Sequence, residues 1–251
     1  MARLRRTSCG KVLTLLVGAS LAASCGHAQP AKTSARASDA ASVSPSAVTP
    51  LTQQDTRDAV LRPEDLGAGW EAKKLKDVSR ASPGSQLPSG DGSDDHVTTG
   101  NTACDAALLP SEAITPVAGA ERDYDQDGTG VSMTAEVTTY KSDGAQRTVE
   151  TGRAVADDCA GLAIPWDDGM TATFSRISTS SLGDDTLGVR VVYRSDDAAE
   201  TRLGLVDIVT VRVGKSICMV SFLIENGSTD ADTIESVTSV AAQRLADVAH
   251  G

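Results

Sequence analysis

Residues 205–224, LVDIVTVRVGKSICMVSFLI, decide the fold. Two apolar-rich runs, Leu205 to Val213 and Ser216 to Ile224, flank Gly214-Lys215. Glycine at the first central position of a two-residue loop supplies the positive φ of a type II′ turn, so the stretch predicts an antiparallel hairpin. Upstream, Val131 to Tyr140 alternates cleanly: Val131, Met133, Ala135 and Val137 face one way, and Ser132, Thr134, Glu136 and Thr138 the other. A period of two is the mark of a strand with one buried face. In Leu187 to Arg194, Leu187, Val189, Val191 and Tyr193 oppose Arg190 and Arg194; Thr171 to Ser178 is a weaker strand candidate.

Helical spacing appears on either side of these strands. Ala145, Val149, Gly152, Ala156 and Cys159 recur at i+4 and i+3, with Asp143 and Gln146 placed as a capping box. A closing helix over about 230–249 carries Ile234, Val237, Ala241, Leu245 and Val248, with Ser228 or Thr229 as its N-cap. A short helix is expected over Gln53 to Leu61, followed by a turn from Pro63 to Leu66 that breaks at Gly67 and Gly69. Ser79 to Asn101 is rich in Gly, Ser and Asp and reads as a mobile excursion. Helix, strand, helix, a run of antiparallel strands and a closing helix predict a single α+β domain over residues 52–251. Its helices are expected on one face of a half-exposed antiparallel sheet.

The first 51 residues have a different character. Arg3, Arg5, Arg6 and Lys11 precede a twelve-residue, largely apolar stretch, Val12 to Ala23. Spanning a bilayer takes about 20 apolar residues, so residues 1–24 read as an export signal. Leu21-Ala22-Ala23-Ser24-Cys25 resembles the lipobox of bacterial lipoproteins, which implies cleavage before Cys25 and diacylation of its thiol, with palmitate as the expected label. Residues 25–51 then form a tether: seventeen of the twenty-five residues from Gly26 to Pro50 are Ala, Ser, Pro or Thr, too few apolar groups to offset the entropy of ordering. Such a coil reaches roughly 25–30 Å.

The chain of 251 residues has a formal charge of −11. Removing the four basic residues of the signal leaves 19 basic against 34 acidic residues, a net of −15. An acidic body argues against nucleic acid and against docking on anionic headgroups. The densest basic run, Lys73, Lys74 and Lys76, lies between Glu71 and Asp77 and reads as a solvated face.

Cys104, Cys159 and Cys218 remain beyond the anchor, in a compartment that permits disulfides. Cys218 shares a strand face with Val220, Phe222 and Ile224 and reads as a buried free thiol. The pairing expected is Cys104 with Cys159, which closes a 56-residue loop and is worth roughly 4 kcal/mol in the ideal case. A three-cysteine zinc site has the wrong spacing.

Catalytic patterns are scarce. His27 falls in the tether, His96 in the excursion and His250 next to the C-terminus, so no histidine is placed for general-base work. Asp123-Tyr124-Asp125-Gln126-Asp127-Gly128 has the first half of a calcium loop. Thr134 stands where the bidentate glutamate belongs, and the pattern runs into a strand, so an acidic surface turn is expected, with calcium as the competing reading. Asp184-Asp185 could supply paired carboxylates for glycoside chemistry, but adjacent residues tend to point apart. Asn226-Gly227-Ser228 reads as the end of a strand before the last helix.

Several stretches together resemble the extracellular sensor-domain family of actinobacteria, found at the outer end of membrane serine/threonine kinases and as stand-alone lipoproteins. They are Ala59-Val60-Leu61 with Leu66-Gly67 and Gly69-Trp70, Cys104 ahead of Leu108-Leu109, Cys159 after the central helix, Leu182-Gly183-Asp184, Val211-Arg212-Val213-Gly214, and the closing helix. The resemblance implies an α+β domain with a cleft for an unidentified ligand, and no catalytic residues. Family members carry two disulfides, whereas three cysteines here supply one.

The function expected is therefore that of a lipoprotein at the outer face of the cytoplasmic membrane, with a non-enzymatic, sensor-like or ligand-binding domain. Its partners would be the membrane, through the N-terminal lipid, and a small-molecule or envelope ligand, with no cofactor and no nucleic acid. A lipid or glycolipid carrier is the alternative, and would need a large apolar cavity.

Overall fold

In a computed structural model of the chain, Val213 and Ser216 are the closing register pair of the 205–224 hairpin, with Gly214 at φ +59° between them. The structure describes residues 49–78, 98–109, 114–166, 170–195, 203–225 and 229–251, all within one compact unit. The export signal, Cys25, the tether up to residue 48, residues 79–97 of the excursion and Asn226–Ser228 lie outside the described residues.

The two hairpin strands, β8 (Leu203–Val213) and β9 (Ser216–Glu225), form the middle of a nine-stranded sheet. On one side follow β4 (Val131–Tyr140), β3 (Pro116–Gln126) and β1 (Trp70–Ala72), with the two-residue β2 (Lys76–Asp77) also paired to β3. On the other follow β7 (Asp185–Ser195), β6 (Met170–Arg176) and β5 (Ile164–Trp166). These strands all pair antiparallel.

Among the described residues, four α-helices cover this sheet: α1 (Gln53–Ala59), α2 (Thr102–Leu108), α3 (Gly144–Asp158) and α4 (Ala231–His250). The expected α+β domain on an antiparallel sheet is observed, but its helices lie on both faces rather than one. Met133, Ala135 and Val137 of β4, Cys218, Val220 and Phe222 of β9, and Val209, Val211 and Val213 of β8 pack with Ile234, Val237, Ala241 and Leu245 of α4 and Ala59 at the end of α1. The alternate residues Val206 and Ile208 of β8, with Ile217 and with Leu187, Val189 and Val191 of β7, pack with Ala145, Val149 and Ala156 of α3. The reason is legible in β8, which carries branched apolar side chains on both sides of the pleat. A strand apolar on both sides stays wet on one unless a second layer covers it.

The helix ends obey local chemistry with some changes of partner. α1 opens on a reciprocal box, Asp55 N–H donating to Thr52 Oγ1 at 3.2 Å and Thr52 N–H to Asp55 Oδ2 at 2.8 Å. α4 is capped by Asp230, which accepts from Thr233 N–H at 2.7 Å, not by Ser228 or Thr229. Asp143 is the N-cap of α3 without a side-chain bond, and Gln146 donates instead to Glu150 at 2.7 Å. The turn after α1 is a single 3-10 turn, Pro63–Asp65. No helix among the described residues is long and apolar enough to cross a membrane.

Candidate ligand-binding site

Between α4 and the sheet, the register of β7 and β8 sets Arg190 opposite Asp207. Both project to the α4 face, where Asp207 pairs across the ladder with Phe222 of β9. Arg190 Nε donates to Asp207 Oδ1 at 2.7 Å and Nη2 to Oδ2 at 2.7 Å. Asp207 is completely buried, while the Arg190 side chain is 40% exposed. A carboxylate without contact to water is costly unless its oxygens are satisfied, and the guanidinium fork satisfies both. Hydrogen bonding to Asp207 in turn raises the Arg190 pKa above its ordinary value.

This pair forms part of the wall of a cavity of about 580 Å³. Val209 lies beside it, Ala231, Ile234, Glu235 and Thr238 of α4 form one wall, and the segment 177–182 forms the other. That segment is held down at several points. Ile177 N–H donates to Gly188 O at 3.2 Å, Leu182 N–H to Thr186 Oγ1 at 2.8 Å, and Ser180 Oγ to Glu235 across the cavity mouth. The volume is in the range of small-molecule pockets, roughly 300–1,000 Å³.

Arg190 has N–H groups left over after the Asp207 fork. Thr229 Oγ1 is buried with no hydrogen-bond partner among the described residues, whereas Thr238 Oγ1 is already spent on Ile234 O at 2.7 Å. The charged lining residues are Arg190, Asp207 and Glu235, a net of −1. The arrangement suits an uncharged, hydrogen-bonding molecule with an apolar edge against Ile177, Leu182 and Val209. Of its two carboxylates, Asp207 has both oxygens taken by Arg190, and Glu235 accepts from Ser180 Oγ.

The residues singled out by sequence lie elsewhere. Cys104 and Cys159 are joined in a disulfide, Cα atoms 4.7 Å apart, pinning α2 to the end of α3 on the opposite face. Cys218 is a free, buried thiol whose pKa burial pushes up to about 12. Asp123 and Asp125 belong to β3 instead of a turn, which is confined to residues 127–130. Asp123 accepts from Lys76 at 2.7 Å and from Thr134 at 2.8 Å, and Asp125 pairs with Lys73 at 2.9 Å, so lysines occupy the calcium candidate. No group of three or more His, Cys, Asp or Glu side chains placed for a metal occurs among the described residues. Asp184 serves Gly214 N–H at 2.7 Å and Asp185 serves Arg153 at 2.7 Å, so the two carboxylates do not form a pair.

No protein-family model and no curated protein matches this chain. Among solved structures it is similar to the extracellular domain of PknH from Mycobacterium tuberculosis, at 13% identity and a TM-score of 0.51, covering 80% of this chain and 98% of that one. An uncharacterized protein from Mycobacterium smegmatis aligns at 11% identity and a TM-score of 0.49, covering 72% of this chain and 92% of that one. The likeness is one of fold. The α+β architecture implied by the sensor-domain resemblance is the architecture observed.

Proposed function

We propose that the chain is a non-enzymatic ligand-binding domain, held at the outer face of the cytoplasmic membrane by an acylated Cys25. The observation that carries the binding half is the Arg190–Asp207 pair beside a 580 Å³ cavity. It presents a fixed guanidinium, with N–H groups to spare, beside a buried hydroxyl and apolar walls. The fold is also similar to that of a domain described as extracellular. The anchoring half rests on Leu21-Ala22-Ala23-Ser24-Cys25 and the low-complexity tether behind it.

Titrating the full chain with uncharged mono- and disaccharides and with small neutral amides, and following backbone amide shifts, tests the first half. Saturable shifts confined to 177–182 and 229–238, and lost in Ala231→Trp at the exposed mouth of the cavity, are expected. Saturable shifts that survive Ala231→Trp, or none with any probe, overturn it. Native mass spectrometry of protein purified from its own membrane addresses the carrier alternative, because a carrier retains acyl-bearing mass. Radiolabelled palmitate tests the second half: it should enter the wild-type chain and not Cys25→Ala.

A further inference from the structure

A second cavity, of about 470 Å³, lies on the same face of the sheet, between α1, the 3-10 turn that follows it and β3. Its lining includes Arg57, Arg62 and Arg122, with Asp58, Glu64 and Leu75. Six of the ten arginines among the described residues are neutralised. Arg57, Arg153, Arg176, Arg190, Arg212 and Arg244 each hold an aspartate within ion-pair distance. Arg62 and Arg122 hold no carboxylate in an ion pair among the described residues, although Asp58 and Glu64 line the same cavity. Asp58 instead accepts from Gln54 at 3.0 Å.

Arg122 is the better fixed of the two. Its Nη1 donates to Leu61 O at 3.1 Å, the same carbonyl that takes the Tyr124 hydroxyl at 2.5 Å. The guanidinium is thus oriented by the end of α1, while its Nε is buried with no partner among the described residues. That Nε is closed to solvent, so an incoming oxyanion would meet the Nη edge of Arg122 and supply the counter-ion that this part-buried guanidinium lacks among the described residues. A planar carboxylate is satisfied by one arginine fork. Two unpaired guanidiniums, with the outer edge of Arg57 as a third wall, instead match the several oxygens of a phosphate.

We propose that this cavity binds a phosphate group, free or carried on a small organic molecule or lipid headgroup, between Arg62 and Arg122. The site is distinct from the cavity at Arg190 and goes beyond the function proposed above.

Inorganic phosphate is the probe, titrated into the full chain at constant ionic strength and followed by amide shifts and melting temperature. Saturable binding is expected, with perturbations at Arg57, Arg62 and Arg122. Arg122→Met and Arg62→Met should each weaken it at least tenfold, and Arg147→Met, on α3 across the sheet, should leave it unchanged. Arg62 is exposed, so its variant reports on binding even if Arg122→Met fails to fold. Phosphate affinity equal in Arg62→Met and wild type, or acetate binding as tightly as phosphate, overturns the proposal. Vesicles of phosphatidylglycerol and of phosphatidylcholine, with and without competing phosphate, separate the sources. Phosphate-sensitive retention on either vesicle assigns the group to a headgroup, and none assigns it to a soluble ligand.

Discussion

Arg190 and Asp207, seventeen residues apart in sequence, are direct cross-strand partners, and the aspartate's burial is complete while the arginine still reaches the cavity. The asymmetry has an energetic consequence. Removing the arginine strands a charge that water cannot reach, so Arg190→Met should cost about 2–3 kcal/mol in urea unfolding, below the range for a fully buried pair because Arg190 is part-exposed. Replacing both members, Arg190→Met with Asp207→Leu, should cost less than the single change. A double variant as unstable as the sum of the singles would show that the two side chains do not depend on each other.

Glu136 gives a pH dependence of known sign. It sits on β4 facing Glu121 of β3 and Met219 of β9, with Lys76 held 3.4 Å from Glu121 rather than paired to Glu136. Burial, and then the charge of Glu121, raise its pKa from 4.5 to about 7. A carboxyl that binds its proton more tightly when folded contributes stability that is complete below its unfolded pKa and is lost as pH rises through the folded one. Between pH 4.5 and pH 8 this group should therefore withdraw about 3 kcal/mol. Glu136→Gln should be more stable than wild type at pH 8, with a flatter profile across that window. An unchanged slope in chemical unfolding at a series of pH values would contradict it.

The two kinds of cysteine should behave differently. Cys104→Ala with Cys159→Ala removes a cross-link over a sequence separation of 55 and should cost about 2–4 kcal/mol. Cys218, with its thiol pushed up to about 12 by burial, should be inert in the native state. Wild type and Cys218→Ala should show equal reactive thiol counts when native and differ by one in guanidinium. A difference under native conditions would place Cys218 within reach of solvent.

How much of the fold and of the cavity can be read along the chain follows from where each residue's partner lies. β4 and the β8–β9 hairpin are legible because their alternation and turn glycine act within ten residues. β3 is not: Asp123, Asp125 and Asp127-Gly128 make residues 123–128 look like a surface turn, whereas Asp123 and Asp125 stand opposite Thr134 and Ser132 in the β4 ladder and are neutralised by Lys76 and Lys73, about fifty residues upstream. The second helical layer is hinted at by Val206 and Ile208, apolar residues on the opposite side of the pleat from Val209, Val211 and Val213. Asp207 is the overlooked signal, since an acid inside a central strand is rarely buried without a partner. That the partner is Arg190 depends on strand register, which no local pattern encodes.

Gly183 offers a test of how the cavity wall is fixed. It adopts φ +59°, and a β-carbon there would run into the Arg212 carbonyl and lie 3.0 Å from Val211 Cγ1. The close approach exists because Asp184 N–H donates to Arg212 O at 2.8 Å and its carboxylate accepts from Gly214 N–H at 2.7 Å, clasping segment 177–182 to the hairpin. Gly161 provides the comparison: φ is +71°, and a β-carbon there would meet nothing within 4 Å. Gly161→Ala should therefore cost about 1 kcal/mol, the backbone term alone. Gly183→Ala should cost about 2–4 kcal/mol, because the clash adds to that term and forces the clasp to move. Equal losses for the two variants in urea unfolding would mean that the wall yields freely, and the cavity behind it would then be no fixed binding site.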